Sequence, residues 1–290
     1  MRFASGALLD AVRGVHWPVR RVTSGSLHGG HRSRRVGSSP EFMEYRPYHQ
    51  GDDPARIDWK LFGRTERVLV RLSHDDSSLR TMIVVDASAS MAFPIPSHAK
   101  WELAASIALG LCAVAHGDGD PVGLVVAHGE GARALTPRTR RGTVADALRL
   151  LTDVEPSGSP RLTPVVAALG ANRRLALISD FLGDAESLLE ESRQLIASGH
   201  EVFAVHVVAA EEIDPRPHGV VIDPENVALQ RPLGEAELAD YRASFAGWRD
   251  TLAAAWRDAG ANYQLVLTGE PADRAVRRIV APLEVGIVPA

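Results

Sequence analysis

The chain contains 290 residues, of which 45% are hydrophobic and 23% are charged, a composition typical of a globular protein. Its 32 lysines and arginines and 36 aspartates and glutamates give a formal net charge of −4. This balance argues against nucleic acid or an anionic membrane as the main partner of the chain. The length allows one large domain, or one domain with a smaller companion.

The only cysteine, Cys112, lies in an apolar helical stretch. A disulfide within the chain is therefore impossible, and we expect a buried structural thiol. Asp10 and Arg13 interrupt the apolar residues near the amino terminus, and no run elsewhere reaches the roughly 18 apolar residues that span a bilayer. We expect a cytoplasmic protein without a membrane segment.

The first part of the chain has a different character from the rest. Residues 11–40 contain six arginines and no acidic residue, which predicts a solvated basic arm packed on an acidic face of its own protein; contact with phosphate or nucleic acid is the alternative. Residues 41–78 combine charge, aromatic residues and turn formers with an alternating run that is typical of a strand. We therefore divide the chain into residues 1–78, with an initial helix, the basic arm and a small β module, and a main domain over residues 79–290.

Strands and helices alternate through the main domain, which predicts an α/β fold with a doubly wound, mostly parallel sheet. Residues 209–233 form a long excursion without periodicity, where function and disorder are both compatible with the pattern. The predicted strands cover residues 81–86, 121–128, 132–137, 174–180, 201–208 and 263–268. The predicted helices cover residues 98–116, 140–151, 163–170, 184–198, 234–259 and 271–281.

Three oxygen-bearing side chains follow the first predicted strand of this domain. The apolar run Met82–Val85 leads directly into Asp86, Ser88 and Ser90. Ligands of open α/β sheets bind at the carboxyl ends of the strands, where these residues are expected. The chain has no Gly-Lys pair for a phosphate loop, no Gly-x-Gly-x-x-Gly, no Gly-x-Ser-x-Gly and no His-Glu-x-x-His. These absences disfavour nucleotide, serine-nucleophile and zinc sites.

One carboxylate and two hydroxyls at i, i+2 and i+4 on a tight turn fit a hard divalent cation, because Mg²⁺ prefers oxygen ligands. A second carboxylate is available at Asp180, which also ends a buried apolar strand. The alternative is that Asp86 and Asp180 only cap helices. We favour a metal site because both aspartates end strands of the same sheet.

The pattern Asp86-x-Ser88-x-Ser90 resembles the metal-ion-dependent adhesion site of von Willebrand factor A-like domains. The stretch YRPYHQGDDPARIDWK, residues 45–60, is similar to the signature of the domain of unknown function 58 family, bacterial proteins built on that fold. The resemblance implies that Asp180 is the last carboxylate of the site. It also implies an Mg²⁺ or Mn²⁺ cofactor.

A threonine from a second loop completes such a site, and the resemblance gives this role to Thr163. The chain departs from the family pattern here, because Leu162 replaces the usual glycine and Pro164 the usual aspartate. Thr143 and Thr152 are further candidates. We expect the serines and Thr163 to touch the metal, with the two aspartates acting directly or through water.

The resemblance further implies a mode of action, in which the metal keeps one position open for an Asp or Glu carboxylate of a partner protein. Members of the family are associated with MoxR-type AAA+ ATPases in protein maturation or remodelling, so such an ATPase is the first expected partner. A metal-assisted hydrolase using the same site is the alternative. In the signature, Arg56 and Asp58 are interpreted as the centre of a structural ion-pair network, with partner binding as the alternative.

Overall fold

The computed structural model describes residues 5–19, 44–47, 59–65, 67–72, 79–129, 131–170, 174–215, 219–222, 230–233 and 235–282. The chain divides into a smaller unit, residues 22–78, and a larger unit that combines residues 1–21 with residues 79–290. The predicted division also separated the chain after residue 78. It differs from the structure in the first residues, because helix α1 (Ser5–Ala11) belongs to the larger unit.

The smaller unit contains a two-stranded antiparallel sheet, as the alternating sequence predicts. Strand β1 (Glu44–Pro47) pairs with β2 (Leu69–Leu72), and helix α2 (Trp59–Thr65) lies between them in the chain. Residues 20–40 of the basic arm and residues 48–58 of the signature lie outside the described residues. The interpretations of this part of the arm and of Arg56 with Asp58 therefore stay predictions.

The larger unit is built on a six-stranded sheet. The strands described in this unit are β3 (Thr81–Ala87), β4 (Val122–His128), β5 (Gly131–Arg138), β6 (Arg174–Ser179), β7 (Glu201–Val208), β8 (Gly219–Ile222), β9 (Gln230–Leu233) and β10 (Asn262–Leu267). The sheet has the order β10-β7-β6-β3-β4-β5. Every neighbouring pair is parallel except β4 with β5, which form the predicted hairpin at one edge. The doubly wound, mostly parallel sheet predicted from the sequence is therefore confirmed.

Helices cover both faces of the sheet because the central strands are apolar on both sides. In β3, Ile83 and Val85 face one core and Met82 and Val84 the other. The helices described after α2 are α3 (Ala99–Gly117), α4 (Thr143–Thr152), α5 (Leu162–Ala167), α6 (Ala185–Ala197), α7 (Ala210–Ile213), α8 (Glu235–Asp258) and α9 (Ala272–Val280). The core that contains Ile83 and Val85 is closed by α1, α3, α4 and α9, and the other core by α5, α6 and α8.

The excursion predicted over residues 209–233 contains regular structure that the sequence pattern did not reveal. It begins with the single turn of α7 and continues into an antiparallel hairpin of β8 and β9. The strand sequences GVVI and QRPL do not alternate apolar and polar residues, which explains why they were missed. None of the described helices is long and apolar enough to cross a membrane.

The segment that follows α1 packs against the amino-terminal edge of the sheet. Trp17 is buried, its ring lies 5.0 Å from that of Phe203, and the Arg174 guanidinium carbon lies 4.5 Å from its centroid. Arg174 is fully buried at the start of β6, and it donates hydrogen bonds to the Trp17 carbonyl (3.0 Å) and to the Glu201 carboxylate (3.0 Å). These contacts explain why the first residues belong to the larger unit.

Replacing Trp17 with Ala should lower the free energy of unfolding by about 3–5 kcal/mol, because it removes a buried ring and leaves a cavity beside Arg174. Urea unfolding followed by far-UV circular dichroism measures this loss. Val19→Ala, at a side chain that is 56% exposed, is the control and should change stability by no more than about 0.5 kcal/mol. Equal midpoints for the two variants would contradict the packing of this segment.

The thiol of Cys112 is buried in α3, as the sequence predicts. Burial raises its pKa to about 12. Since the thiolate is the reactive form, Ellman's reagent should not modify Cys112 in the native protein at pH 8 and should modify one thiol per chain in denaturant. Rapid modification without denaturant would show that α3 opens readily.

Candidate metal centre

The candidate centre is the turn that leaves β3 at the carboxyl edge of the sheet. Asp86, Ser88 and Ser90 are all buried. The Ser88 backbone N–H donates a hydrogen bond to Asp86 Oδ1 (2.8 Å), and the hydroxyl oxygens of the two serines lie 2.9 Å apart. The structure thus brings together the three residues of the Asp-x-Ser-x-Ser pattern.

A neighbouring loop fixes the backbone of this turn. The Ser157 N–H donates to the Ala87 carbonyl (2.8 Å), and the Ala89 N–H donates to the Gly158 carbonyl (2.8 Å). Gly158 has a φ of +67°, and a Cβ there would lie 2.8 Å from the Cα of Gly129. Glycine is required at this position by both its conformation and its close contact.

Asp86 is held in an environment that disfavours its negative charge. The Ser179 hydroxyl donates to Asp86 Oδ2 (2.7 Å), so each carboxylate oxygen accepts one hydrogen bond. Burial, and then repulsion from Asp180, raises the pKa of Asp86 to about 7, although the hydrogen bonds from Ser179 and Ser88 lower it. The ionised carboxylate therefore lacks sufficient compensating positive charge among its protein neighbours.

Asp180 follows β6 and is held by Lys100, a residue of α3 that sequence reasoning did not select. The fully buried Lys100 ammonium donates to Asp180 Oδ2 (2.7 Å) and to Glu212 Oε1 (2.8 Å). The other Asp180 oxygen accepts the Leu182 N–H (3.2 Å). Burial alone would lower the pKa of Lys100, but the Asp180 and Glu212 carboxylates outweigh burial and raise it.

Thr163 contacts a different carboxylate. Its hydroxyl donates to Asp184 Oδ2 (2.6 Å), and its backbone N–H donates to the same oxygen (2.9 Å). The hydroxyls of Thr143 and Thr152 donate to the backbone carbonyls of Arg140 and Leu148, respectively. The structure therefore gives each of the three candidate threonines a protein acceptor for its hydroxyl proton.

The oxygen geometry of the turn is compatible with a hard divalent cation. With metal–oxygen distances of about 2.0–2.1 Å, adjacent ligands of an octahedral Mg²⁺ lie about 2.8–3.0 Å apart. The 2.9 Å between the hydroxyl oxygens of Ser88 and Ser90 falls in this range. Among the described residues no group of three or more His, Cys, Asp or Glu side chains could hold a metal, so a cation at this turn would need hydroxyl ligands.

A pocket of about 250 Å³ opens beside the turn. Asp86 and Ser88 line it together with Arg161, Leu162 and Phe181. Asp184 also lines it, so acidic, basic and apolar residues all border this pocket.

Two neighbours of the centre were missed because their roles depend on contacts between distant parts of the chain. Ser179 ends the strand that pairs with β3, and its hydroxyl reaches Asp86 across the sheet. Lys100 lies 80 residues before Asp180, and its signal in the sequence is a lysine in the first turn of a mostly apolar helix. Buried lysines normally need a paired carboxylate, so this lysine in an apolar helix could have been recognised as a member of an ion pair.

Comparison with known proteins agrees with the signature in the sequence. Residues 44–232 match the family described as protein of unknown function DUF58. The chain belongs to the DUF58 family. Two relatives, uncharacterized protein Rv1480 of Mycobacterium tuberculosis and uncharacterized protein Mb1516 of Mycobacterium bovis, are each 30% identical over 88% of this chain and 83% of their own length.

Solved structures similar to this DUF58 protein include three proteins from different sources. BatB from Bacteroides thetaiotaomicron is 19% identical over 70% of this chain and 97% of its own, with a TM-score of 0.45. The VWA domain of SpRpn10 is 13% identical over 68% and 93%, with a TM-score of 0.39. Manganese-loaded TRAP from Plasmodium vivax is 12% identical over 70% and 74%, with a TM-score of 0.39. These likenesses are similarities of fold alone and carry no inference about the ligands or partners of this chain.

Lys100→Met should lower the free energy of unfolding by about 3–5 kcal/mol, because it leaves the buried carboxylates of Asp180 and Glu212 without their shared ammonium group. Arg149→Met is the matched control: it breaks an ion pair with Asp146 whose arginine side chain is 73% exposed, and should cost at most about 1 kcal/mol. Denaturant unfolding of both variants tests this. Equal losses would mean that Lys100 does not stabilise the edge of the sheet.

Proposed function

We propose that this DUF58 protein is a protein-interaction module with an Mg²⁺ or Mn²⁺ centre of the adhesion type that takes an Asp or Glu carboxylate from a partner protein. The observation that carries the proposal is the convergence of Asp86, Ser88 and Ser90 on one buried turn beside a pocket. The surroundings of Asp86 also disfavour its negative charge. The two serine hydroxyls and the Asp86 carboxylate would hold the cation. When bound, the cation supplies a positive charge that neutral hydroxyl ligands do not cancel, which favours an arriving carboxylate.

The remaining two predicted ligands would act from a greater distance. Asp180, unlike Asp86, already pairs with a cation, the Lys100 ammonium, and its other oxygen accepts the Leu182 N–H. Thr163 donates its proton to Asp184, so a lone pair of its oxygen is left for a water or a ligand. We therefore assign Asp180 and Thr163 to contacts through water.

The charge balance supports a divalent rather than a monovalent cation. The linked carboxylates of Asp86, Asp180 and Glu212 have one ammonium group, that of Lys100, among them. If all four groups are ionised, the set carries two uncompensated negative charges. A divalent cation at the turn would cancel both.

The family resemblance makes a MoxR-type AAA+ ATPase the first partner to examine. Such an ATPase would use the module in the maturation or remodelling of other proteins. A purified ATPase of this type that co-elutes in Mn²⁺ and separates in EDTA would support the pairing.

A metal-assisted hydrolase at the same site is the alternative. Many such hydrolases hold two metal ions about 3.5–4 Å apart. Among the described residues no group of three or more His, Cys, Asp or Glu side chains could hold a second ion. We therefore favour binding.

Asp86→Ala should abolish Mn²⁺ binding, because it removes the sole carboxylate of the Asp-x-Ser-x-Ser turn. Calorimetric titration of metal-stripped protein in carboxylate-free buffer measures the loss, and Ser90→Ala should weaken binding by about tenfold, the loss of one ligand contact worth about 1.4 kcal/mol. Asp258→Ala is the control, since this exposed residue precedes β10 at the opposite edge of the sheet. One saturable site in wild type and control but not in Asp86→Ala supports the proposal. Retained binding by Asp86→Ala would remove it.

A further inference from the structure

The outer edge of β5 is open to pairing with a further strand. β5 is the last strand of the six-stranded sheet and pairs with β4 on one side, and no strand among the described residues pairs with its other side. An unpaired edge presents backbone N–H and C=O groups in a row, which can pair with a strand of another chain. Because β5 has eight residues, it can pair with a segment of similar length.

The first six residues of β5 are the part that can accept such a strand. Pro137 has no backbone N–H, whereas each of residues 131–136 has both an N–H and a C=O group. Ala132 and Ala134 are exposed and carry only a methyl group each, which leaves room beside them for the side chains of an added strand. The edge of residues 131–136 is therefore accessible as well as unpaired within the described part of the chain.

This edge of the sheet is strongly basic. Residues 131–141 contain no acidic residue and four exposed arginines, namely Arg133, Arg138, Arg140 and Arg141. Arg140 pairs with Asp146 (2.7 Å), whereas the other three form no ion pair with any of the described residues. The Arg138 Nε donates a hydrogen bond to the Thr136 hydroxyl (3.0 Å), which holds its side chain along the strand. Three positive charges are therefore available to a partner with carboxylates.

The strand register places two of these arginines on one face of the sheet. Arg133 lies opposite Val126 of β4, and Arg138 lies opposite Val122. Both valines belong to the core that α3 and α4 cover, so both arginines are on that face. A register shift between Val122 and Leu124 lets five positions on β5 match four on β4. Acidic side chains four or five positions apart on an added strand would therefore lie beside the two arginines.

We infer that β5 binds an extended acidic segment of a partner protein, which adds a seventh strand to the sheet and places carboxylates beside Arg133 and Arg138. Backbone hydrogen bonds to residues 131–136 supply affinity that does not depend on the partner's side chains, and the charge pairs select the partner and its register. The inference goes beyond the proposed function, because pairing at this edge needs no metal.

Two other occupants match this edge less well. A second copy of the chain, paired through its own β5, would bring the arginines of both copies onto neighbouring strands, where like charges destabilise the pairing. A nucleic acid would pair with the arginines but would not use the row of N–H and C=O groups along residues 131–136. An acidic strand uses both features of the edge.

A displayed library of random 12-residue peptides tests the inference without knowledge of the natural partner. The library is selected in EDTA on the full wild-type chain and counter-selected on the double variant Arg133→Gln, Arg138→Gln. We expect the enriched sequences to carry two Asp or Glu residues four or five positions apart, with no proline between them. The most enriched peptide is then synthesised with a fluorescent label, together with an analogue in which alternate residues between the two acids are proline.

Fluorescence anisotropy in EDTA then separates charge from strand pairing. The double variant Arg133→Gln, Arg138→Gln should bind the peptide about tenfold more weakly, because two charge pairs are lost. The matched control is the double variant Arg193→Gln, Arg274→Gln, which removes the same charge from exposed arginines of α6 and α9 and should bind as wild type does. The proline analogue keeps both carboxylates but lacks the N–H groups that pair with a strand, and it should not bind measurably.

Several outcomes would overturn the inference. A selection that enriches no sequence, or sequences without the paired acids, excludes an acidic strand at this edge. Equal affinities of the two double variants mean that the arginines of β5 do not contact the peptide, and binding of the proline analogue means that charge attraction acts without strand pairing. Displacement of the peptide by a 12-nucleotide oligothymidylate at a lower concentration than unlabelled peptide requires would assign the edge to nucleic acid. Because every step is carried out in EDTA, failure here leaves the proposed metal centre untouched, and failure of the metal centre leaves this inference untouched.

Discussion

The carboxyl edge of this sheet depends on one buried ammonium group shared by two carboxylates. Lys100 pairs with Asp180 and Glu212, while Asp86, which Asp180 repels, has hydrogen bonds but no ion pair with any of the described residues. Burying such a set is unfavourable unless each charge is compensated. The lysine compensates one charge and leaves a deficit at Asp86, next to two serine hydroxyls. Protonation meets this deficit in the metal-free protein, as the raised pKa of Asp86 indicates. A divalent cation at the turn would meet it with Asp86 ionised, and the proposed function follows from that case.

The same ion pairs tie the centre to elements far from it in sequence. One Glu212 oxygen accepts a hydrogen bond from the Lys100 ammonium group. The other accepts one from the Ala209 N–H, at the start of the single turn α7. Lys100 itself belongs to α3, the helix at the middle of one core. A substitution of Asp180 would therefore affect both α3 and the segment that leads into the β8–β9 hairpin. The candidate centre is therefore held by elements of the domain core and does not lie on an isolated loop.

The sequence allowed the sheet and the turn to be predicted because both depend on local patterns. Continuous apolar runs mark β3, β6 and β7, and the Asp-x-Ser-x-Ser spacing marks the turn after β3. The partners of these residues could not be predicted in the same way, because Lys100 meets Asp180, and Ser179 meets Asp86, only through strand order and helix placement. Trp17 was obscured for another reason: its basic surroundings indicated a solvated arm, whereas the side chain is buried against Phe203 and Arg174. Long-range pairing, and not local propensity, accounts for most of what the sequence left undetermined.

The most direct test of the account is a crystal structure of the full chain grown with Mn²⁺, with anomalous diffraction used to locate the metal. The account predicts one strong peak bonded to the hydroxyl oxygens of Ser88 and Ser90, at about 2.0–2.3 Å, with the Lys100–Asp180 ion pair retained. A structure with the turn well ordered and no anomalous peak there, at a Mn²⁺ concentration that saturates binding in solution, would contradict the central claim. A peak bonded to Asp180 in place of Lys100 would contradict the assignment of that carboxylate.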